Sequence, residues 1–260
     1  MSGLGVNLGA IELSILLPAF AAGLLVTATH VPLGMQVLAR GIVFIDLAIA
    51  QVAGCGVLLA DRLGFEAEGI AVQVAALAAA LGGALLLTWT EKLWPDVQEA
   101  VIGVVFVLAA SGTVLLLASN VHGSEHLRDL LVGQILWAQP ARLLWTAVVY
   151  AAVLALWFGV RERLSRVGFY VLFAIVVTVS VQLVGVYLVF ATLIVPPLAT
   201  RRMARQRLAA AWALGAVGYA IGLLLSTALD LPSGPAIVWV LALLALVCYG
   251  WSARAARAAR

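Results

Sequence analysis

The residue with the clearest chemistry is Asp46, set in the apolar string GIVFIDLAIAQ that runs from Gly41 to Gln51. A carboxylate at mid-helix in a bilayer costs roughly 2.5–3.5 kcal/mol on insertion scales. It must therefore carry a proton, pair with a partner, or face water or a cation. Two roles fit: a carboxylate in a transport path, or an acid near a helix start that caps or pairs structurally. Gln51 follows five residues on and is displaced by about 140° around a helix, so it shares no tight site with Asp46. Gln182, in SVQLVG, is expected to hydrogen-bond between helices.

A second group lies in the polar string NVHGSEHLRD, which carries His122, Glu125 and His126. Imidazoles and a carboxylate are good ligands for divalent transition metals. His122 to His126 also matches the HxxEH protease pattern. That chemistry needs both histidines on one helical face and a third ligand, whereas Gly123-Ser124 favours a turn. The loop is thus either a metal-sampling segment at an outer mouth or a solvated loop. In EKLWPDVQEA, with Glu91, Asp96 and Glu99, Asp96 follows Pro95 and is expected to cap the helix beyond it. Asp230 sits among Pro232, Gly234 and Pro235, a turn composition. No GxxxxGKS/T string occurs, so the chain has no phosphate-cradling loop of that kind. It is not expected to be an enzyme, and uphill movement of a solute would draw on an ion gradient or a separate ATPase.

What must position these groups follows from composition. The 260 residues are 65% hydrophobic and 10% charged, with a mean hydropathy of +1.14. A soluble domain is nearer half apolar and a quarter charged. The apolar runs, each near the about 20 residues that cross a bilayer, lie at 11–29, 42–60, 69–90, 97–119, 141–160, 167–184, 185–200, 208–229 and 235–252. The expectation is an all-α polytopic membrane protein of about eight or nine transmembrane helices in one domain, 1–260. The stretch from Val167 to Thr200 is too long for one span and divides near Gly185. Its second piece, 185–200, is short or broken and ends in Pro196-Pro197; such segments persist where protein buries them. Cys55 and Cys248 both fall in apolar runs and form no disulfide framework.

Orientation follows from lysine and arginine. One alternate set of loops holds Arg40, Lys92, Arg161, Arg163, Arg166, Arg201, Arg202, Arg205, Arg207, Arg254, Arg257 and Arg260; the other holds Arg62, Arg128 and Arg142. The richer set and the C-terminus are expected on the cytoplasmic side. The side of the N-terminus depends on whether 185–200 crosses or re-enters. Small residues such as Gly218 and Gly222 let helix backbones approach closely. Trp89, Trp94, Trp137, Trp145, Trp239 and Trp251 sit near run ends, as an interfacial belt would.

Five segments, in order, resemble the ABC-3 family, the membrane permeases of bacterial zinc and manganese ABC importers. GMQVLARGIVFIDLAIAQVAG is similar to that family's second helix, with Asp46 on the family aspartate. PDVQEAVIGVVFVLAASGTVLLLAS resembles its acidic start and long Gly/Leu helix, and EHLRDLLVGQILW its segment ending in Gly-x-Ile-Leu-Trp. SVQLVGVYLVFATLIVPPLATRRMA is the most specific, and GLLLSTALDLPSGPAIV is close to its Pro-Ser-Gly-Pro turn. Where the family carries histidine four residues after the aspartate, this chain has Ala50, and the family's acidic-Ala-Gly element is cut down to RERLSRVGFY.

The resemblance implies a multi-pass permease of the bacterial plasma (inner) membrane. It would work as a pair with a second copy of itself, bound by cytoplasmic ABC ATPase subunits and fed by an external metal-binding protein, with no nucleic acid involved. ATP would act on the partner subunit; the chain would hold no cofactor and only pass a divalent metal ion. Asp46 would lie in the path. Thr200, Arg201, Arg202, Arg205 and Arg207 form the basic segment expected to meet the ATPase, and Gly185, Pro196 and Pro197 are the expected hinge. The alternatives are a permease of similar architecture for a metal chelate or other small solute, and a gradient-driven secondary transporter. Zinc, manganese and iron all remain candidates.

Overall fold

The apolar runs fold as helices, and no strand occurs among the described residues. The computed structural model describes residues 13–65, 69–117, 135–137, 139–160, 165–203 and 206–258. They hold nine α-helices: α1 (Leu13–Arg40), α2 (Ile45–Arg62), α3 (Ile70–Leu93), α4 (Gln98–Leu117), α5 (Pro140–Val160), α6 (Arg166–Val184), α7 (Val186–Ala199), α8 (Arg207–Leu229) and α9 (Ser233–Ala258). Single 3-10 turns lie at Pro95–Val97 and Ile135–Trp137. α1, α3, α5, α6, α8 and α9 each carry a stretch long and apolar enough to cross a membrane. The all-helical polytopic fold is as expected.

α1 differs from its run. It continues through Pro32 to Arg40, where hydropathy ended the run at residue 29. A proline removes one helical donor, but buried membrane helices tolerate that loss. α7 has 14 residues, about 21 Å at 1.5 Å per residue, short of the roughly 30 Å hydrocarbon layer. It starts after Gly185, whose φ of 82° suits glycine better than any residue with a Cβ.

The chain divides into two compact units. One comprises Met1–Ala39, Val132–Tyr150 and Leu183–Arg260. Within it α9 packs on α7 and α8. Gly222 presses on the backbone of Ile237, where a Cβ would stand 2.6 Å from its Cα, and Gly218 sits under the Leu241 side chain. The GxxxG pair therefore does lie at a helix–helix seam. α8 also presents Gly215 to Thr27 and Tyr219 to Gly23 of α1. The Tyr219 hydroxyl is 2.9 Å from Thr192 Oγ1, tying α8 to α7 in a dry interior where an unpaired hydroxyl would be costly.

The other unit comprises Arg40–Leu131 and Ala151–Gln182. Here α2 lies against both α3 and α4. Gly56 faces Ala75 O and Ala79 Cβ, each 2.7 Å from where its own Cβ would be, and Gly83 faces Val52. On the α4 side the Cys55 thiol donates to Ala109 O at 3.1 Å. Trp157, Phe169 and Phe173 cluster at centroid spacings of 6.0 and 5.7 Å, and the Arg40 guanidinium covers the Phe169 ring at 4.2 Å.

Candidate functional site

Asp46 sits in the first turn of α2 and is 1% exposed. Neither carboxylate oxygen has a hydrogen-bond partner among the described residues. Its own amide and that of Leu47 face it without closing a hydrogen bond of ordinary geometry. Ala50, one turn on, is buried and brings no ligand.

A second carboxylate reaches the same helix end. Gln98 is buried at the start of α4, donating from Nε2 to Leu87 O at 2.9 Å while the Thr90 hydroxyl donates to its Oε1 at 3.1 Å. This clasp fixes the first turn of α4 to the last turn of α3. The next residue, Glu99, then extends to the start of α2, where the Phe44 N–H donates to its Oε1 at 3.3 Å. Its Oε2 is buried and closes no hydrogen bond of ordinary geometry among the described residues, while the Phe44 and Val43 amides both face the carboxylate. Among the described residues, the charged group whose field bears on Asp46 is Glu99, and it repels. The sequence displayed both acids but could not show that Glu99 reaches the start of α2, because 53 positions separate it from Asp46.

His30 is the other buried group that hydropathy passed over. It lies in α1 beyond the expected end of the first run, fully buried. Nδ1 is 3.0 Å from Val26 O, so that nitrogen carries the proton, and Nε2 has no partner among the described residues. A histidine in an apolar string, Ala28-Thr-His-Val-Pro32, was the available signal.

The remaining expected residues are placed as follows. Gln182 is exposed and not buried between helices, a correction: its position on α6 turns it away from the packed face. Asp96 lies exposed in the 3-10 turn that leads into α4, its charge at the helix start. Asp230 ends α8 in the left-handed conformation, φ 52°, as a turn residue does. Pro196 and Pro197 lie inside α7, with the helix continuing to Ala199. Thr200 is fully buried and its hydroxyl donates to Pro196 O at 3.0 Å. The Arg207 guanidinium donates to Pro197 O at 3.4 Å. These two side chains satisfy carbonyls that a helix end leaves open. Arg201 and Arg202 are exposed, the latter's guanidinium 4.6 Å from the Tyr249 ring centroid. His122, Glu125, His126 and Arg205 lie outside the described residues.

The sequence profile described as the ABC 3 transport family matches residues 12–169 and 154–251. The fold is similar to that of PsaBC from Streptococcus pneumoniae in complex with Fab, with a TM-score of 0.75 and 22% identity over 93% of each chain. It is also similar to an inward-facing structure of a protein described as a metal-chelate type ABC transporter. That likeness has a TM-score of 0.66 and 18% identity over 92% of this chain and 85% of the other.

Proposed function

The chain belongs to the ABC 3 transport family, and from that premise we propose that it is the membrane permease subunit of an importer for a divalent transition metal. Zinc and manganese are the first candidates and iron the third. The observation that carries this reading is the buried carboxylate of Asp46 with neither oxygen partnered. A negative group held dry offsets part of the dehydration cost of a passing cation. With few fixed ligands it also releases the ion, which conduction requires.

The working assembly is two copies of this chain with two cytoplasmic ABC ATPase subunits, supplied from outside by a metal-binding protein, in a bacterial inner membrane with the C-terminus inside. Arg201 and Arg202 present positive charge to the ATPase, while Thr200 and Arg207 hold the end of α7 and so shape that surface. ATP turnover on the partner switches the pair between outward and inward forms. The backbone change is absorbed at Gly185, whose positive φ marks the break between α6 and α7, and near Pro196-Pro197, where two helical donors are missing.

Uptake by proteoliposomes tests this. Vesicles holding the chain with its ATPase accumulate zinc or manganese when ATP is present, and vesicles holding the chain alone do not. Metal movement without the ATPase would replace this reading with a secondary transporter. Uptake of a chelate but not of free ions would assign the solute to the chelate class.

A further inference from the structure

We propose that Tyr249 is a positioning residue for ATPase docking: its ring holds the guanidinium groups of Arg201 and Arg202 in the orientation in which they meet acidic groups of the partner. The inference rests on the permease reading above and deepens it. Arg201 and Arg202 form the turn that follows α7. Its main chain is fixed, since the Arg201 N–H donates to Leu198 O at 3.3 Å and the Met203 N–H to Thr200 O at 3.0 Å. Both arginine side chains are exposed. Neither guanidinium has a hydrogen-bond or carboxylate partner among the described residues. What they share is one ring. The Tyr249 centroid lies 4.6 Å from the Arg202 guanidinium carbon and 5.9 Å from that of Arg201. Both fall within the about 6 Å over which a ring face attracts a cation.

Helix packing places the ring. α9 runs against α7, so its late turns stand beside the turn into which α7 leads. Tyr249 is half-buried, whereas Trp251 is 76% exposed. The two positions lie about 200° apart around the helix. An aromatic residue that serves only as an interfacial anchor faces lipid, as Trp251 does. Tyr249 faces the basic turn instead.

The consequence is preorganisation. A long arginine side chain carries rotamer freedom that docking must remove. No Asp or Glu occurs between Thr200 and Leu229 or after Asp230, so the adjoining sequence offers these cations no acid to hold them. A carboxylate in the place of the ring would orient the arginines and cancel their charge. The neutral π face orients them and leaves the charge intact, ready for paired hydrogen bonds to carboxylates of the partner.

The measurement is the affinity of the full-length permease for the ATPase that co-purifies with it. The parent is compared with Tyr249→Leu, Tyr249→Phe, Arg202→Gln and the double variant Y249L/R202Q. One exposed cation–π contact is worth about 2- to 5-fold. Over two arginines Y249L should therefore weaken association by about 5- to 30-fold, with its melting temperature unchanged. Y249F keeps the ring and should bind like the parent. R202Q should cost less in the Y249L background than in the parent, because losing the ring has already removed part of what Arg202 contributes. Additive losses would show that Tyr249 acts apart from Arg202 and would overturn the inference. Parental affinity in Y249L, or a loss in Y249F as large as in Y249L, would overturn it too. Should Y249L fail to fold, cryo-electron microscopy of the parent permease–ATPase complex decides. Arg201 and Arg202 over the Tyr249 ring at the ATPase surface support the role, and arginines turned away from the ring reject it. A parent permease that recovers no ATPase would overturn the permease reading itself.

Discussion

Gly34 of α1 lies directly against the carbonyl oxygen of Leu193 in α7, with no room between them for a Cβ. The oxygen is free because Pro197, four residues on, has no N–H to donate to it. The missing Cβ and the missing donor are matched, and a backbone Cα–H packs where a helical hydrogen bond would have been. Gly34→Ala should therefore destabilise the chain by about 3 kcal/mol, the upper part of the overpacking range, because the obstructing atom is backbone. Gly82→Ala is the control: its Cβ would enter open space, and it should be neutral or stabilising by about 0.5–1 kcal/mol. Melting curves of the purified variants in detergent check the contrast.

The two glycines of the α8–α9 seam should rank in a definite order. At Gly222 a new methyl meets the main chain of Ile237, whereas at Gly218 it meets the end of the Leu241 side chain, which can turn aside. Gly222→Ala should cost about 2–3 kcal/mol and Gly218→Ala about 1 kcal/mol. Equal melting temperatures for the two would show that the seam adjusts freely.

Much of this frame was legible in the sequence, for a physical reason. In a bilayer the backbone must satisfy its own polar groups, so each long apolar run has to be a helix. α5, α6, α7 and α8 begin and end within two residues of the runs that announced them. The division near Gly185 was visible because glycine interrupts an apolar stretch too long to cross once. The end of α1 was not, since a proline at position 32 reads as a stop and only the packed structure shows it tolerated. The site was half legible. Asp46 declared itself by its surroundings. Glu99 did not, because it sits among polar neighbours in a turn and its significance comes from the clasp at Gln98 that swings it to α2. Sequence spacing also placed Thr200 and Arg207 with the docking charges, without showing that both turn inward onto α7.

The basic turn after α7 should act on coupling and leave folding alone. Arg201 and Arg202 are exposed and lie near the Tyr249 ring. Surface cation–π contacts are worth about 0.5–1 kcal/mol, so R201E together with R202E should lower stability by no more than about 2 kcal/mol. The same pair of changes should release the ATPase on co-purification and abolish ATP-dependent uptake. Thr200→Val should instead lower stability, by about 1–3 kcal/mol, through the lost bond to Pro196 O. A charge-reversed variant that still co-purifies with its ATPase in full amount would move the docking surface elsewhere.

Asp46 carries the central claim, and one measurement reaches it directly: ATP-dependent uptake of radioactive zinc and manganese by vesicles containing the permease–ATPase complex, parent against Asp46→Asn. The Asn side chain keeps the size of the acid and removes its charge. The variant complex should assemble and hydrolyse ATP yet accumulate neither metal above background. Uptake of both metals at the parental rate would take Asp46 out of the path and contradict the account.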